Sequence, residues 1–131
     1  MPLIYRFDYP VLAEMVATVF RSSGIRRPVD DLPRIQKMLD HADLTVTVWD
    51  GERLVGIGRV LTDFSYCCYL SDLAVDLDYQ RQGIGRAMVS QIRAHLGREV
   101  MILLLAAPEA MAYYPHIGFE KADNAWIIHR E

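Results

Sequence analysis

Cysteine is scarce in this chain and confined to one place: the only two, Cys67 and Cys68, are adjacent. On a strand their side chains would point to opposite faces, so a disulfide between them would be strained. No Cys-x-x-Cys pair and no zinc-type spacing is present, and no metal is expected. The pair therefore reads as reduced, mostly structural thiols of a cytoplasmic protein. Long apolar runs are also missing. No stretch reaches the roughly 18 residues of a membrane span, and the opening MPLIYRFDYP lacks the basic-then-apolar pattern of a secretory signal. Basic runs are absent and the formal net charge is −3, which makes nucleic acid a poor partner. Mild acidity is compatible with amine substrates.

What is present suits one domain over residues 1–131, with 52% hydrophobic residues to build a core. Leu3 to Phe7 reads as a short strand. Asp8 is a plausible cap for a helix that carries Leu12, Met15, Val16, Val19 and Phe20 on one face and stops at Gly24. A second helix is expected from Leu32 to Ala42, burying Leu32, Ile35, Leu39 and Ala42. Leu44 to Trp49 and Leu54 to Leu61 form a hairpin across Asp50-Gly51. Gly56 and Gly58 allow a bulge or a close approach. Val100 to Leu105 is wholly apolar, as in a buried parallel strand. Pro108 opens a short helix to about Ile117, and two closing strands are expected, one from Gly118-Phe119 and one over Trp126 to His129.

The centre of the chain is Tyr69 to Leu96: an apolar strand to Val75, a loop, and a helix with Ile84, Ala87, Met88, Ile92 and Leu96 on one stripe. Gly83 and Gly85 sit at the helix mouth, where unpaired N–H groups and a partial positive charge favour an anion such as a phosphate. The dinucleotide fingerprint fails because Met88 stands where a third small residue is needed. The P-loop fails because Gly-Lys-Ser/Thr is absent. A nucleotide-phosphate binder would fit the glycines alone.

The pattern that fits is Gln80-Arg81-Gln82-Gly83-Ile84-Gly85 after Leu73-Ala74-Val75, followed later by Ala112-Tyr113-Tyr114-Pro115-His116-Ile117-Gly118-Phe119. The first resembles motif A of the GCN5-related N-acetyltransferase (GNAT) superfamily, and the second its Phe-Tyr-x-x-x-Gly-Phe signature with Tyr113 in the Phe place. The expected element order, β-α-α-β-β-β-α-β-α-β-β, is also that family's, so the resemblance spans essentially the whole chain. It implies an α/β fold: an α+β mixed sheet in three layers, α-β-α.

By resemblance the cosubstrate is acetyl-CoA. Leu73, Ala74 and Val75 would meet the pantetheine arm, in a slot where their strand splays from Val100–Leu105. A backbone N–H near Leu73 or Ala74 would polarise the thioester carbonyl. Gln80, Arg81, Gln82, Gly83, Ile84, Gly85 and Arg86 would hold the pyrophosphate, though Arg81 and Arg86 read equally as surface arginines. Tyr114 would lie near the sulfur. A phenol of pKa about 10 can protonate a departing thiolate.

An acceptor amine arrives protonated and needs a base. Asp72 is the first candidate, because burial would raise its pKa; it reads equally as a structural carboxylate holding an arginine such as Arg59. Tyr69 and Ser71 lie on the other face of the strand, and a bulge would exchange the faces. His116 is a third candidate. Arg26 and Arg27 could grip a carboxylate or phosphate on the acceptor, or form a solvated edge. Phe64, Tyr66 and Tyr69 lean toward a small aryl- or alkylamine acceptor. Direct transfer is expected, since no cysteine has an obvious base beside it. The alternatives are a non-catalytic acyl-CoA sensor and a protein or peptide acetyltransferase. A homodimer is expected if the short closing strands leave a sheet edge to cover.

Overall fold

The computed structural model describes residues 2–131. Five strands form one sheet in the order of the chain: β1 (Ile4–Phe7), β2 (Leu44–Asp50), β3 (Arg53–Thr62), β4 (Cys67–Val75) and β5 (Met101–Leu103). Helices α1 (Ala13–Ser23) and α2 (Leu32–Asp40) connect β1 to β2, and α3 (Ile84–Leu96) connects β4 to β5. β1 to β4 pair antiparallel; β4 and β5 pair in parallel, as a crossover through α3 requires.

Two buried clusters lie on opposite faces of the sheet. One unites Val16, Val19, Phe20 and Ile35 of α1 and α2 with Trp49, Leu54, Ile57 and Ala74. The other unites Ile84, Met88, Val89 and Ile92 of α3 with Val46, Val48, Val60, Cys68 and Leu70. This is the expected three-layer α-β-α arrangement. Gly58 is where α3 approaches the sheet closely. A Cβ there would lie 2.9 Å from Val46 Cγ1 and 3.4 Å from Ile92 Cδ1.

Several boundaries differ from expectation. Asp8 does not cap α1. It sits at φ 50° and its carboxylate accepts from the Thr45 amide at 3.0 Å, so α1 begins only at Ala13. α2 ends at Asp40, and of its expected apolar face Ile35 is buried whereas Leu32 is 40% exposed. The short helix is replaced by two 3-10 turns, Pro108–Ala110 and Tyr114–Ile117. The apolar run Val100–Leu105 contributes three residues of ladder.

Neither closing strand forms. Residues 119–131 hold no strand, and Trp126 and Ile128 are 97% and 99% exposed. A strand needs an edge to pair with, and three residues of β5 offer very little; a lone hairpin is marginal in water. The cysteines behave as expected for a strand: Cys67 is exposed, Cys68 is buried, and both are free. Burial pushes the Cys68 thiol up, as does neighbouring Cys67.

Candidate active site

The site is built around one extra residue in β4. Arg59 stands opposite Asp72 and Val60 opposite Leu70, so Ser71 has no partner in β3. Such a bulge exchanges the two faces of a strand beyond it. Before it, Cys68 and Leu70 pack toward α3; after it, Ala74 packs toward α1 and α2, while Leu73 and Val75 turn toward α3. Asp72 is thereby carried to the α1/α2 face.

There the loop after α1 meets it. Asp72 is fully buried, and both its oxygens are occupied. Arg27 Nε donates to Oδ1 at 2.5 Å, and Arg59 Nε donates to Oδ2. The same guanidinium groups also hold Ser71: Arg27 Nη2 donates to its carbonyl at 2.7 Å and Arg59 Nη2 to its hydroxyl at 2.9 Å. Arg27 Nη1 donates to the Arg26 carbonyl at 2.6 Å. A buried carboxylate is tolerable because two cations surround it. The residue expected to act as base is therefore enclosed and doubly engaged. Of the two readings expected for Asp72, the pairing observed is that of a carboxylate holding Arg59, with Arg27 on its other oxygen.

Beyond the bulge the sheet opens. The parallel ladder ends at Tyr69 opposite Leu103, after which β4 and the chain from Leu104 diverge. Between them lies a cavity of about 490 Å³, lined by Leu70, Ser71 and Leu73 on one side and by Leu104 to Ala110 on the other. Tyr114 closes one wall, and Arg26 and Arg27 form part of another. The expected splay is thus present, and it brings together Ser71, Leu73, Tyr114 and Arg27. Tyr69 lies outside the cavity lining, in the last ladder pair, and His116 stands exposed on the final 3-10 turn, also outside it.

Tyr114 stacks edge-on between Tyr113 (5.2 Å) and Phe119 (5.4 Å). Burial pushes its phenol above the usual value, with Tyr113 adding to the effect. The motif spacing explains this packing: Tyr114 opens a single turn closed by Gly118 at φ 97°, which returns Phe119 to its ring.

The glycine loop ends in an open helix mouth. Gly83 caps α3 in the left-handed region at φ 81°, with no side-chain cap. The amides of Ile84, Gly85 and Arg86 therefore have no partner within the helix. Arg81 also has positive φ, 64°. Gln80 turns away from the mouth and donates to the Val75 carbonyl at 3.0 Å, tying the loop to β4. Asp76 holds the intervening turn, accepting from the Asp78 amide at 2.9 Å and pairing with Arg53 at 3.2 Å. A Cβ at Gly85 would stand 2.9 Å from the Tyr113 hydroxyl. Burial raises the Tyr113 phenol, whereas the Arg86 guanidinium and amide pull it back. Arg86 also lines a separate groove of about 430 Å³ with Arg93 and Arg98.

Sequence reasoning missed Glu109, which lines the cavity opposite the apolar strand. Its signal was slight: an acid directly after Pro108, in a segment read as a short helix. Among the described residues no group of three or more His, Cys, Asp or Glu could hold a metal ion, and no helix is long and apolar enough to cross a membrane.

A mixed sheet whose last two strands, β4 and β5, diverge over a cavity, with a glycine-bearing helix mouth beside it, defines an acyltransferase class of fold. The chain matches the family model for the acetyltransferase (GNAT) domain over residues 41–121, and it belongs to that family. It is 29% identical over 101 residues to an uncharacterized N-acetyltransferase, ycf52, of Gracilaria tenuistipitata var. liui, covering 72% of this chain and 54% of that protein. It is 35% identical to histone acetyltransferase TAP1 of Glycine max, over 53% of this chain and 31% of that one. The chain thus spans about half or less of the length of these relatives.

Among solved structures, a protein of unknown function from meticillin-resistant Staphylococcus aureus, described as a probable acetyltransferase, superposes with a TM-score of 0.84 at 24% identity, over 99% of both chains. Aminoglycoside N-acetyltransferase AAC(6')-Iy, solved in complex with CoA, gives a TM-score of 0.73 at 15% identity, over 99% of this chain and 95% of that one. These likenesses concern the fold.

Proposed function

We propose that this protein is an acetyl-CoA-dependent N-acetyltransferase passing the acetyl group directly to a primary amine on a small molecule. The observation that carries the reading is the gap beyond Tyr69 and Leu103, which opens onto one cavity shared by β4, Tyr114 and the loop after α1.

Asp76 N donates to the Val55 carbonyl. In an antiparallel pair such bonds recur at every second residue. The amides of Ala74 and Asp72 therefore face β3, and those of Leu73 and Val75 face the slot. Leu73, Ala74 and Val75 hold the pantetheine arm as a strand-like partner, and the Leu73 amide is the donor to the developing oxyanion. The free amides of Ile84, Gly85 and Arg86 bind the pyrophosphate, with Gly83 shaping the turn. Arg81 and Gln82 flank that site, whereas Gln80 braces the loop. Acetyl-CoA supplies the activated acetyl group.

Tyr114 gives its proton to the leaving sulfur; its raised pKa keeps that proton in place at neutral pH. Asp72 anchors Arg27 at the acceptor wall. Glu109 lines the same cavity and forms no ion pair among the described residues. It takes the amine proton, directly or through water.

The engagement of Asp72 also favours a second reading, an acyl-CoA sensor without turnover, since it removes the base first expected. Calorimetric titration of acetyl-CoA, followed by CoA release against polyamines, aryl-alkylamines, aminoglycosides and a lysine peptide, separates the two. Binding with no release from any of these, nor from β-alanine or O-phosphoethanolamine, would favour the sensor. Absence of binding would end both.

A further inference from the structure

The cluster beneath the acceptor wall has an unbalanced charge. Asp72 is one anion, held by two guanidinium groups. Arg59 is nearly buried, its side chain 10% exposed, and spends its Nε and Nη2 on Asp72 and Ser71. Arg27 is 27% exposed and lines the cavity. Its three hydrogen bonds leave two of its five N–H groups unspent. Arg26 lines the same wall and forms no ion pair among the described residues.

The charged groups that share Asp72 with Arg27 or line its cavity are few; Asp30 and Asp31 of the same loop are spent on Arg21 and on the cap of α2. From β4 there is Asp72; from β3, Arg59; from its own loop, Arg26; from the chain after β5, Glu109. Their sum, with Arg27, is three cations against two anions. Arg27 is clamped in place by Asp72 and the Ser71 carbonyl, so its free N–H groups are presented with little rotamer entropy left to lose. A fixed, partly desolvated guanidinium in excess over its counterions is a receptor for an anion.

We propose that the acceptor carries an anionic group, carboxylate or phosphate, which Arg27 and Arg26 bind while its amine lies toward Glu109 and Tyr114. The substrate class is thus an amine bearing its own negative charge, not a polycation. This rests on the acetyltransferase reading above, and the test keeps the two apart.

The test titrates matched pairs onto the 131-residue chain loaded with CoA, by calorimetry: β-alanine against propylamine for carboxylate, and O-phosphoethanolamine against ethanolamine for phosphate. A charge-assisted hydrogen bond at a half-buried site predicts that the charged member of one pair binds about tenfold or more tighter. Whichever pair shows the difference names the anion. Arg27→Gln, confirmed folded by its melting curve, should bring that ratio to within about twofold, with Arg27→Lys between. If Arg27→Gln does not fold, the ratios measured on the parent chain decide alone. Equal or weaker binding of both charged members overturns the proposal, as does an undiminished ratio in folded Arg27→Gln. CoA release from the plain amines with no preference for the charged ones would leave the acetyltransferase reading standing and defeat this one.

Discussion

Replacing Asp72 by Asn separates an anchor from a base more sharply than any other change in this protein. The substitution keeps the shape and removes the charge. Two guanidinium groups that share one carboxylate would then face each other across a neutral amide, with Arg59 10% exposed and Arg27 27% exposed. Breaking a buried ion pair by removing one partner costs about 3–5 kcal/mol. Arg27 is open enough for water to recover part of that, so about 2–4 kcal/mol is the reasonable expectation. Against a typical total of about 5–15 kcal/mol this is a large fraction. For a chain of 131 residues the melting temperature should fall by roughly 6–20 °C, from about 3–5 °C per kcal/mol.

Urea unfolding followed by Trp fluorescence measures the change directly, since Trp49 is buried in the α1/α2 cluster. The midpoint should drop with the slope unchanged. Acceptor KM should rise because Arg27 loses its clamp. A base would behave differently: Asp72→Asn would abolish turnover and leave stability nearly intact. A variant melting within about 2 °C of the parent, with turnover down by about a hundredfold, would refute the anchoring role.

Four further outcomes follow from the same geometry. Tyr114→Phe should lower turnover by about tenfold to a thousandfold with little change in acetyl-CoA affinity, and since burial raises the Tyr114 phenol above 10.0, activity carried by its protonated form should persist through pH 9 and fall only above that value; equal turnover in the variant removes Tyr114 from the mechanism. Gly58→Ala places a Cβ 2.9 Å from Val46 Cγ1 in a fully buried contact, and overpacking there should cost about 1–3 kcal/mol by urea unfolding. Asp63 accepts from the Ser65, Tyr66 and Cys67 amides, first Tyr66, which lowers its pKa below 3.8; the stability it lends the β3–β4 loop is complete above the unfolded value and lost as pH falls through the depressed one, so those amide resonances should shift with a midpoint under 3.8. Deleting residues 122–131, exposed throughout, should leave the melting temperature within about 2 °C, and a larger loss would show that this segment packs in solution.

The layers and the glycine loop were legible because they rest on local rules. Val16, Val19 and Phe20 recur with helical spacing, as do Ile84, Met88 and Ile92, and both sets are buried where that spacing put them. The hairpin forms where Asp50-Gly51 signals it, with Asp50 pairing Arg53 and Gly51-Glu52 making the turn itself. The site was harder to read because it depends on one insertion. Alternation along Tyr69 to Val75 predicts one face for Asp72 and Leu70; the bulge at Ser71 puts them on opposite faces, and no residue type announces it. Arg27 and Asp72 are 45 positions apart, so their pairing is a product of the folded sheet. The closing strands failed for a different reason. Trp126, Ile127 and Ile128 have the composition of a strand, but strand formation needs an open edge of matching length, and the β4–β5 ladder is three residues long.

Ser71 links these facts into one device. Without the extra residue, Leu73 would point to the α1/α2 side and Asp72 to the α3 side, into the apolar cluster around Cys68, Leu70 and Met88. With it, Asp72 meets Arg27 and Arg59, and the loop after α1 is fastened to β4 through the Ser71 carbonyl. The bulge also falls directly after the last β4–β5 pair at Tyr69. Bulges twist and bend a strand locally, so the same residue that turns Asp72 toward the loop leads β4 away from the chain after Leu103. The slot and the acceptor wall are thus set by a single local distortion. A change at Ser71 that restored regular pairing would close the one and release the other together.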